Sequence, residues 1–258
     1  MELHILTRDG KLNQDSRRKL KQVEHLSQLI HSQLIEKSIE AAANFSICDV
    51  GAGKNYLSLL LWDRYFRNQS TSEKIDVYSI ESRSELCEKS TALAAKIGFK
   101  KFHAVAAKVE SVGNAIPESL DLVVALHACD TATDDAILMG LARQAKAFVL
   151  VPCCQAEVAK KLDELPKKLP NFSLWRHPFH RREFGSHLTN VIRSLFLESK
   201  GYRVRSTEFV GLEHSLKNEV IVAEKIQGHN GLAEKSLSDL LSQFPIKPYL
   251  LEKAGNKN

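Results

Sequence analysis

One stretch constrains this chain more than any other. It is Ser46-Ile47-Cys48-Asp49-Val50-Gly51-Ala52-Gly53-Lys54-Asn55-Tyr56, an apolar run that ends in an acid and two spaced glycines and leads into a helical pattern. Small apolar residues ahead of Asp49 suit a buried strand, the glycines let the backbone turn tightly and approach a ligand, and the following helix presents its N-terminus. The arrangement predicts a nucleotide-binding loop. A dinucleotide fingerprint requires a third glycine three positions on, where this chain has Tyr56, and that argues against NAD. The phosphate loop Gly-x4-Gly-Lys-Ser/Thr also fails, because Asn55 follows Gly53-Lys54 and no glycine stands at the upstream spacing. What remains is Asp-x-Gly-x-Gly, whose acid can accept from a ligand's ammonium in a site that need not hold a pyrophosphate. S-adenosylmethionine fits that description.

The rest of the chain keeps a strand-helix rhythm around this loop. Leu20, Val23, Leu26, Leu29, Ile30, Leu34 and Ile39 recur at helical spacing and predict an amphipathic N-terminal extension. After the loop a helix is expected over 57–66, a strand over 75–81 ending in Glu81, and a helix over 84–97 with Ser84 as N-cap and Gly98 as stop. Strands follow over 101–107, 120–126 and 147–151, with a helix over 134–144 between the last two. Residues 162–179 read as irregular and Pro-interrupted, and 187–199 as a helix. Strand-like 203–210 and 220–225 are too close for a helical crossover, so they should pair as an antiparallel hairpin. The expected fold is α/β, a Rossmann-like seven-stranded sheet, mostly parallel with one antiparallel strand at the C-terminal hairpin, and helices on both faces. The expected division is a helical extension over 1–43, a cofactor-binding domain over 44–227 and a peripheral tail over 228–258 with one short helix near 236–241.

Composition narrows the setting. At 258 residues, 43% hydrophobic and 26% charged, the chain has the makeup of an ordinary globular protein. It has no apolar run of transmembrane length, and Met1-Glu2-Leu3-His4 lacks the layout of a signal peptide, so a cytoplasmic protein is expected. An odd five cysteines suggest reduced thiols rather than a disulfide framework. The net charge of +5 is unevenly placed, since residues 160–205 hold eleven Lys/Arg against four Asp/Glu. Such a segment can meet RNA, or simply be the solvated face of helices.

Two sets of residues carry the candidate chemistry. Asp49, Gly51, Ala52, Gly53 and Tyr56 form the first cofactor element. Glu81, ending the second strand, forms another, because a carboxylate there can accept both hydroxyls of a ribose. Ser82 beside it, Glu110 after the third strand, at reach of an adenine edge, and Leu126 complete the expected cofactor residues. The second set is His127-Ala128-Cys129-Asp130 at the end of the fourth strand and Pro152-Cys153-Cys154-Gln155 at the end of the fifth. Ligands sit over the carboxyl ends of such strands, so this cluster should border the transferred group, with His127 or Asp130 as general base and Cys129, Cys153 and Cys154 lining the acceptor site. Adjacent Cys153 and Cys154 cannot easily point two thiolates at one ion, so no metal is expected. In the block from His177 to His187, Arg181 and Arg182 can hold phosphates and Phe179 or Phe184 can stack on a base, as a substrate lid; alternatively the phenylalanines plug the core. Lys217 and Asn218 in the hairpin can reach the same pocket.

With these residues in view, the chain resembles class I S-adenosylmethionine-dependent methyltransferases, and more narrowly the methyltransferase domain 32 group with its methyltransferase-like protein 25 relatives. The carriers are the motif from Asp49 to Ser58, His127-Ala128-Cys129-Asp130 and Pro152-Cys153-Cys154. The His-x-Cys and Cys-Cys pair is similar to that of the tRNA acceptor-stem 2'-O-methyltransferase family. The resemblance implies S-adenosylmethionine at Asp49, Gly51, Gly53 and Glu81, transfer beside His127, Cys129 and Cys153, and raises RNA, tRNA in particular, as acceptor. The expected activity is methyl transfer to RNA. A small molecule or protein acceptor is the alternative, and a non-catalytic RNA-binding protein on a vestigial cofactor fold is another.

Overall fold

The computed structural model describes residues 14–39, 43–126, 128–152, 155–208 and 219–255. In chain order the helices and strands are α1 (Gln14–Ile30), a π-helical turn (His31–Ile35), α2 (Glu36–Ile39), β1 (Phe45–Val50), α3 (Tyr56–Tyr65), β2 (Ile75–Glu81), α4 (Ser84–Ile97) and β3 (Phe102–Ala106). They continue with β4 (Leu122–Leu126), α5 (Thr131–Ala142), β5 (Ala147–Val151), α6 (Glu157–Glu164), α7 (Pro178–Ser199), β6 (Tyr202–Glu208), β7 (Glu219–Lys225), α8 (Gly231–Gln243) and α9 (Tyr249–Gly255). One seven-stranded sheet has the order β3-β2-β1-β4-β5-β7-β6. β1 to β5 pair in parallel, and β7 alone is reversed, antiparallel to both β5 and β6. The short 208–219 connection dictates that reversal, as expected from the sequence.

The central strands read as continuous apolar runs because both faces of the sheet are covered. Successive residues serve opposite cores. Cys48, Val50, Val123, Phe148 and Leu150 face the side of α5 and α7, whereas Ile47, Leu122, Val124 and Val149 face the side of α1 and α3. Val23, Leu26, Ile30, Leu34 and Ile35 are buried in the second of these cores with Leu57, Leu61 and Trp62. The π turn shifts the helical register so that Leu34 and Ile35 are both buried.

Several elements differ from the sequence reading. Ser84 is the first residue of α4 rather than its cap; Arg83 stands at the cap position, extended, without a side-chain capping bond. Helix α6 was not expected, because its buried anchors are few, Val158 and Leu162, and its first turn is capped from a distant loop. Helix α7 begins at Pro178, not His187: proline at the first helical position needs no partner for its missing N–H, so it starts this helix rather than breaking it. Gly185 allows α6 to cross α7 closely, since a Cβ there would stand 2.8 Å from Ala159 Cα. The tail carries two helices instead of one, and its Leu237, Phe244, Ile246 and Leu250 join the core around Trp175.

Candidate active site

The glycine loop is a run of alternating left-handed residues, Gly51 (φ 66°), Gly53 (φ 58°) and Asn55 (φ 59°). That conformation strains side chains with a Cβ, and the two glycines supply it without that strain. Ile80 O accepts from Gly51 N at 2.9 Å and from Ala52 N at 3.2 Å, which ties the loop to β2. Asn55, the residue sequence reasoning passed over, anchors the loop from below. It is fully buried; its Nδ2 donates to Ser90 Oγ at 2.8 Å and its Oδ1 accepts from Ser79 Oγ. Asn is among the few side-chain-bearing residues that adopt this backbone readily. Tyr56 starts α3 and is half-buried against the second core.

Two carboxylates frame the loop and differ sharply. Asp49 is buried, and its Oδ2 accepts from Ser58 Oγ at 2.6 Å. Burial pushes its carboxyl up to about 6, against the opposing pull of the Ser58 hydrogen bond. Glu81 is held down at about 2, chiefly by the Arg83 side chain. Its Oε1 accepts from Arg83 N at 3.0 Å and Arg83 Nε at 2.9 Å, and from Ser82 Oγ at 3.3 Å. Its Oε2 accepts from Gly53 N at 3.0 Å and Arg83 Nη2 at 3.2 Å. Glu81 therefore ties the glycine loop to the end of β2, and Arg83 occupies the lone pairs that face solvent. Ser82 is exposed beside it. Glu110 is exposed on the 3-10 turn Val109–Ser111 after β3, and half-buried Leu126 ends β4.

Of the second set, His127, Cys153, Cys154, Lys217 and Asn218 lie outside the described residues. Cys129 is exposed where the chain leaves β4. Asp130 has a positive φ of 52° and reaches across to α6, where its Oδ1 accepts from Ala156 N at 2.9 Å and Glu157 N at 3.1 Å. An acid at a helix N-terminus is favoured by the unpaired N–H groups there. Beneath it lies a buried clamp that sequence reasoning missed. Arg193 of α7 is 1% exposed; its Nε donates to Asp134 Oδ1 at 2.6 Å and its Nη2 to Asp130 O at 2.7 Å. Asn190, a turn earlier, accepts from Gln155 Nε2 at 3.1 Å and donates to Glu219 Oε2 at 2.6 Å, and Ser186 Oγ donates to Gln155 Oε1 at 2.7 Å. Helix α7 thus holds together the loop after β4, the loop after β5 and the start of β7, all at the carboxyl edge of the sheet. A buried arginine with a carboxylate two elements away has no local spacing to reveal it.

The His177–His187 block is helical, which corrects the expectation of a loop-like lid. Arg181 Nη1 pairs with Asp163 Oδ1 at 2.6 Å, so its charge is committed, whereas Arg182 is exposed and pairs with its neighbour Glu183 at 3.1 Å. The two phenylalanines split. Phe184 stacks on Trp175 and packs on Phe244 as a core plug, and Phe179 is 62% exposed.

The cofactor half fits S-adenosylmethionine on its own geometry. Asp49 is a buried anion whose one side-chain hydrogen bond is from Ser58 among the described residues, suited to a cationic group; two glycines let the loop turn tightly beside it, and a carboxylate stands at the end of β2. A family model described as a methyltransferase domain, the one numbered 32, matches residues 18–161, more than half of the chain. Comparison with the curated proteins gives no match. Among solved structures, magnesium protoporphyrin IX methyltransferase from Synechocystis PCC 6803, with bound S-adenosylhomocysteine, is 12% identical over 84% of this chain and 90% of its own, with a TM-score of 0.53. An rRNA methylase from Streptococcus thermophilus is 11% identical over 76% of this chain and 98% of its own, at 0.47. TrmK from M. capricolum is 14% identical over 85% of this chain and 73% of its own, at 0.46. With the strand order, the reversed β7 and the acid-glycine loop already in place, the match over 18–161 identifies the chain: it belongs to the methyltransferase-domain family and is an S-adenosylmethionine-dependent methyltransferase on the Rossmann-like fold.

Proposed function

We propose that the protein methylates RNA, in the manner of the tRNA-modifying and methyltransferase-like protein 25 relatives that its His-x-Cys and Cys-Cys motifs resemble. The observation that supports this reading is the exposed basic set leading into the helix that clamps the loops after β4 and β5: Lys167, Lys168 and Arg176 are exposed in the segment before α7, and Arg182 is exposed in its first turns. A cationic surface of this kind holds phosphates and leaves sequence to other contacts.

Bound S-adenosylmethionine supplies an electrophilic methyl group. The chain's residues bind and orient. Asp49 would accept from the cofactor's ammonium, the glycine loop, its N–H groups held by Ile80 O and Glu81, would let the cofactor approach the backbone closely, and Glu81 would accept from ribose hydroxyls in place of Arg83. Ser82, Glu110, Leu126 and Tyr56 enclose the adenosine. In this reading His127 would take the proton of a hydroxyl acceptor at a ring nitrogen, and Cys129, Cys153, Cys154, Lys217 and Asn218 would serve the acceptor. Asp130 acts as a positioning residue, since its carboxylate is engaged at the start of α6. Most of the acceleration asked of the protein is alignment. No helix among the described residues is long and apolar enough to cross a membrane.

The test is incubation with methyl-labelled S-adenosylmethionine and, separately, total tRNA, ribosomal RNA and an RNA-depleted extract, with Asp49→Ala as control. Label in RNA that is lost in the variant supports the reading. Label confined to the depleted extract moves the acceptor to a protein or metabolite.

A further inference from the structure

The reactive edge is overlooked by a single face of α7. Phe179, Arg182, Ser186, Asn190 and Arg193 recur at three- and four-residue spacing, so they lie on one stripe of the helix. Its lower part is fully engaged: Arg193 holds Asp130 O and Asp134, Asn190 holds Gln155 and Glu219, and Ser186 holds Gln155. These partners are the loops after β4 and β5, where the acceptor must sit. The upper part has no such partners. At 1.5 Å per residue, Phe179 stands about 10 Å beyond Ser186 along the same face. Its ring is 62% exposed, with the Arg182 guanidinium 5.3 Å from its centre.

An exposed phenylalanine is unusual where every other aromatic of the segment is used for packing. Phe172, Trp175 and Phe184 form a cluster with Phe244 beneath it. Phe179 is also set in a cationic field, since residues 165–187 hold five Lys/Arg and one acid. Arg176 and Arg182 are exposed within that field, while Arg181 is tied to Asp163. A flat apolar ring beside a cation, in a basic segment, matches a ligand made of flat bases joined by phosphates. A ring can stack only on a base whose face is open, which selects unpaired nucleotides over a duplex.

We propose that the upper face of α7 is a stacking platform for an unpaired nucleotide of the RNA acceptor, with Phe179 against a base and Arg176 and Arg182 on the flanking phosphates. The platform lies beyond the pocket, so it takes a neighbour of the modified nucleoside rather than that nucleoside itself. This inference rests on the RNA reading above and adds the strandedness and the residues.

The experiment is a fluorescence-anisotropy titration of the full chain with labelled single-stranded RNA of about 15 nucleotides, the same RNA annealed to its complement, and polyglutamate, over a range of salt. The single strand should bind more tightly than the duplex or polyglutamate. Phe179→Ala should weaken single-strand binding about 10-fold with the salt slope unchanged, and Phe179→Trp should restore it. Arg176→Ala with Arg182→Ala should flatten the slope of log K against log salt by about 1.4, the value for two lost phosphate contacts to a single strand. Unchanged S-adenosylhomocysteine binding shows that the variants are folded. Single-strand binding that survives all three substitutions overturns the platform and leaves the RNA reading standing. So does a duplex bound as tightly as the single strand. No RNA binding even at low salt, or equal affinity for polyglutamate, overturns the RNA reading and the platform with it.

Discussion

Replacing Asp49 by asparagine removes a charge that the folded chain holds at a cost. Asp49 is 2% exposed at the end of β1, and burial pushes its carboxyl from 3.8 up to about 6. That difference corresponds to about 3 kcal/mol at the rate of 1.36 kcal/mol per pH unit. Because the folded carboxyl keeps its proton longer than the unfolded one, the group's contribution to stability is fully present below about 3.8 and is lost as the pH rises through about 6. Asparagine cannot ionise and escapes that loss. Its excess stability over wild type, measured by urea denaturation, should grow from about 1–2 kcal/mol near pH 5 to about 3 kcal/mol near pH 8. The amide brings its own N–H groups into the interior, but that cost does not vary with pH, so the growth of the difference is the quantity to read. The same substitution should weaken S-adenosylmethionine binding in calorimetry, because the cofactor's ammonium loses its anion. Wild-type affinity should fall below about pH 6 as Asp49 protonates, whereas the variant's should not follow that titration. A stability difference that is flat across this range would refute the reasoning.

Three further outcomes follow from the same geometry. Arg193→Leu leaves Asp134 buried without its cation and should cost about 3–5 kcal/mol in urea denaturation, whereas Arg193→Leu combined with Asp134→Leu should cost less than the single change. Arg83→Ala frees the lone pairs of Glu81 and should tighten S-adenosylhomocysteine binding, while Glu81→Gln should weaken it; calorimetry on the two reads opposite signs if Arg83 and the ribose compete for one carboxylate. Asn55→Ala loses the bonds to Ser79 and Ser90 and strains a left-handed backbone, at about 2–4 kcal/mol, and Asn55→Gly should recover only the strain, which denaturation of the pair separates.

What could be read in advance divides along physical lines. β4 and β5 were legible because a strand buried on both faces writes a continuous apolar run, β2 because its apolar residues alternate at the strand period, and the reversal of β7 because so short a connection admits no crossover. Asp49, the glycines and Glu81 were legible for a related reason: backbone turns and strand ends are local, and only certain residues satisfy them. Helix α6 and the first three turns of α7 were not. Their buried side chains are sparse, and they are held by Asp130 capping from another loop and by Gly185 crossing Ala159, partners with no fixed sequence spacing.

The same division separates the two halves of the active site. The cofactor half is built from one βαβ unit, so its residues lie within a few dozen positions of one another and their spacing carries the meaning. The edge proposed to hold the acceptor is assembled by Arg193, Asn190 and Ser186 of α7 reaching to Asp130, Asp134, Gln155 and Glu219, which come from different parts of the chain. Such an assembly allows the acceptor loops to change in sequence while the glycine loop keeps its shape, because no hydrogen bond of the clamp touches Asp49, Asn55 or Glu81 among the described residues. The glycine loop is therefore held by bonds local in sequence, and the ends of β4 and β5 by the face of a single helix.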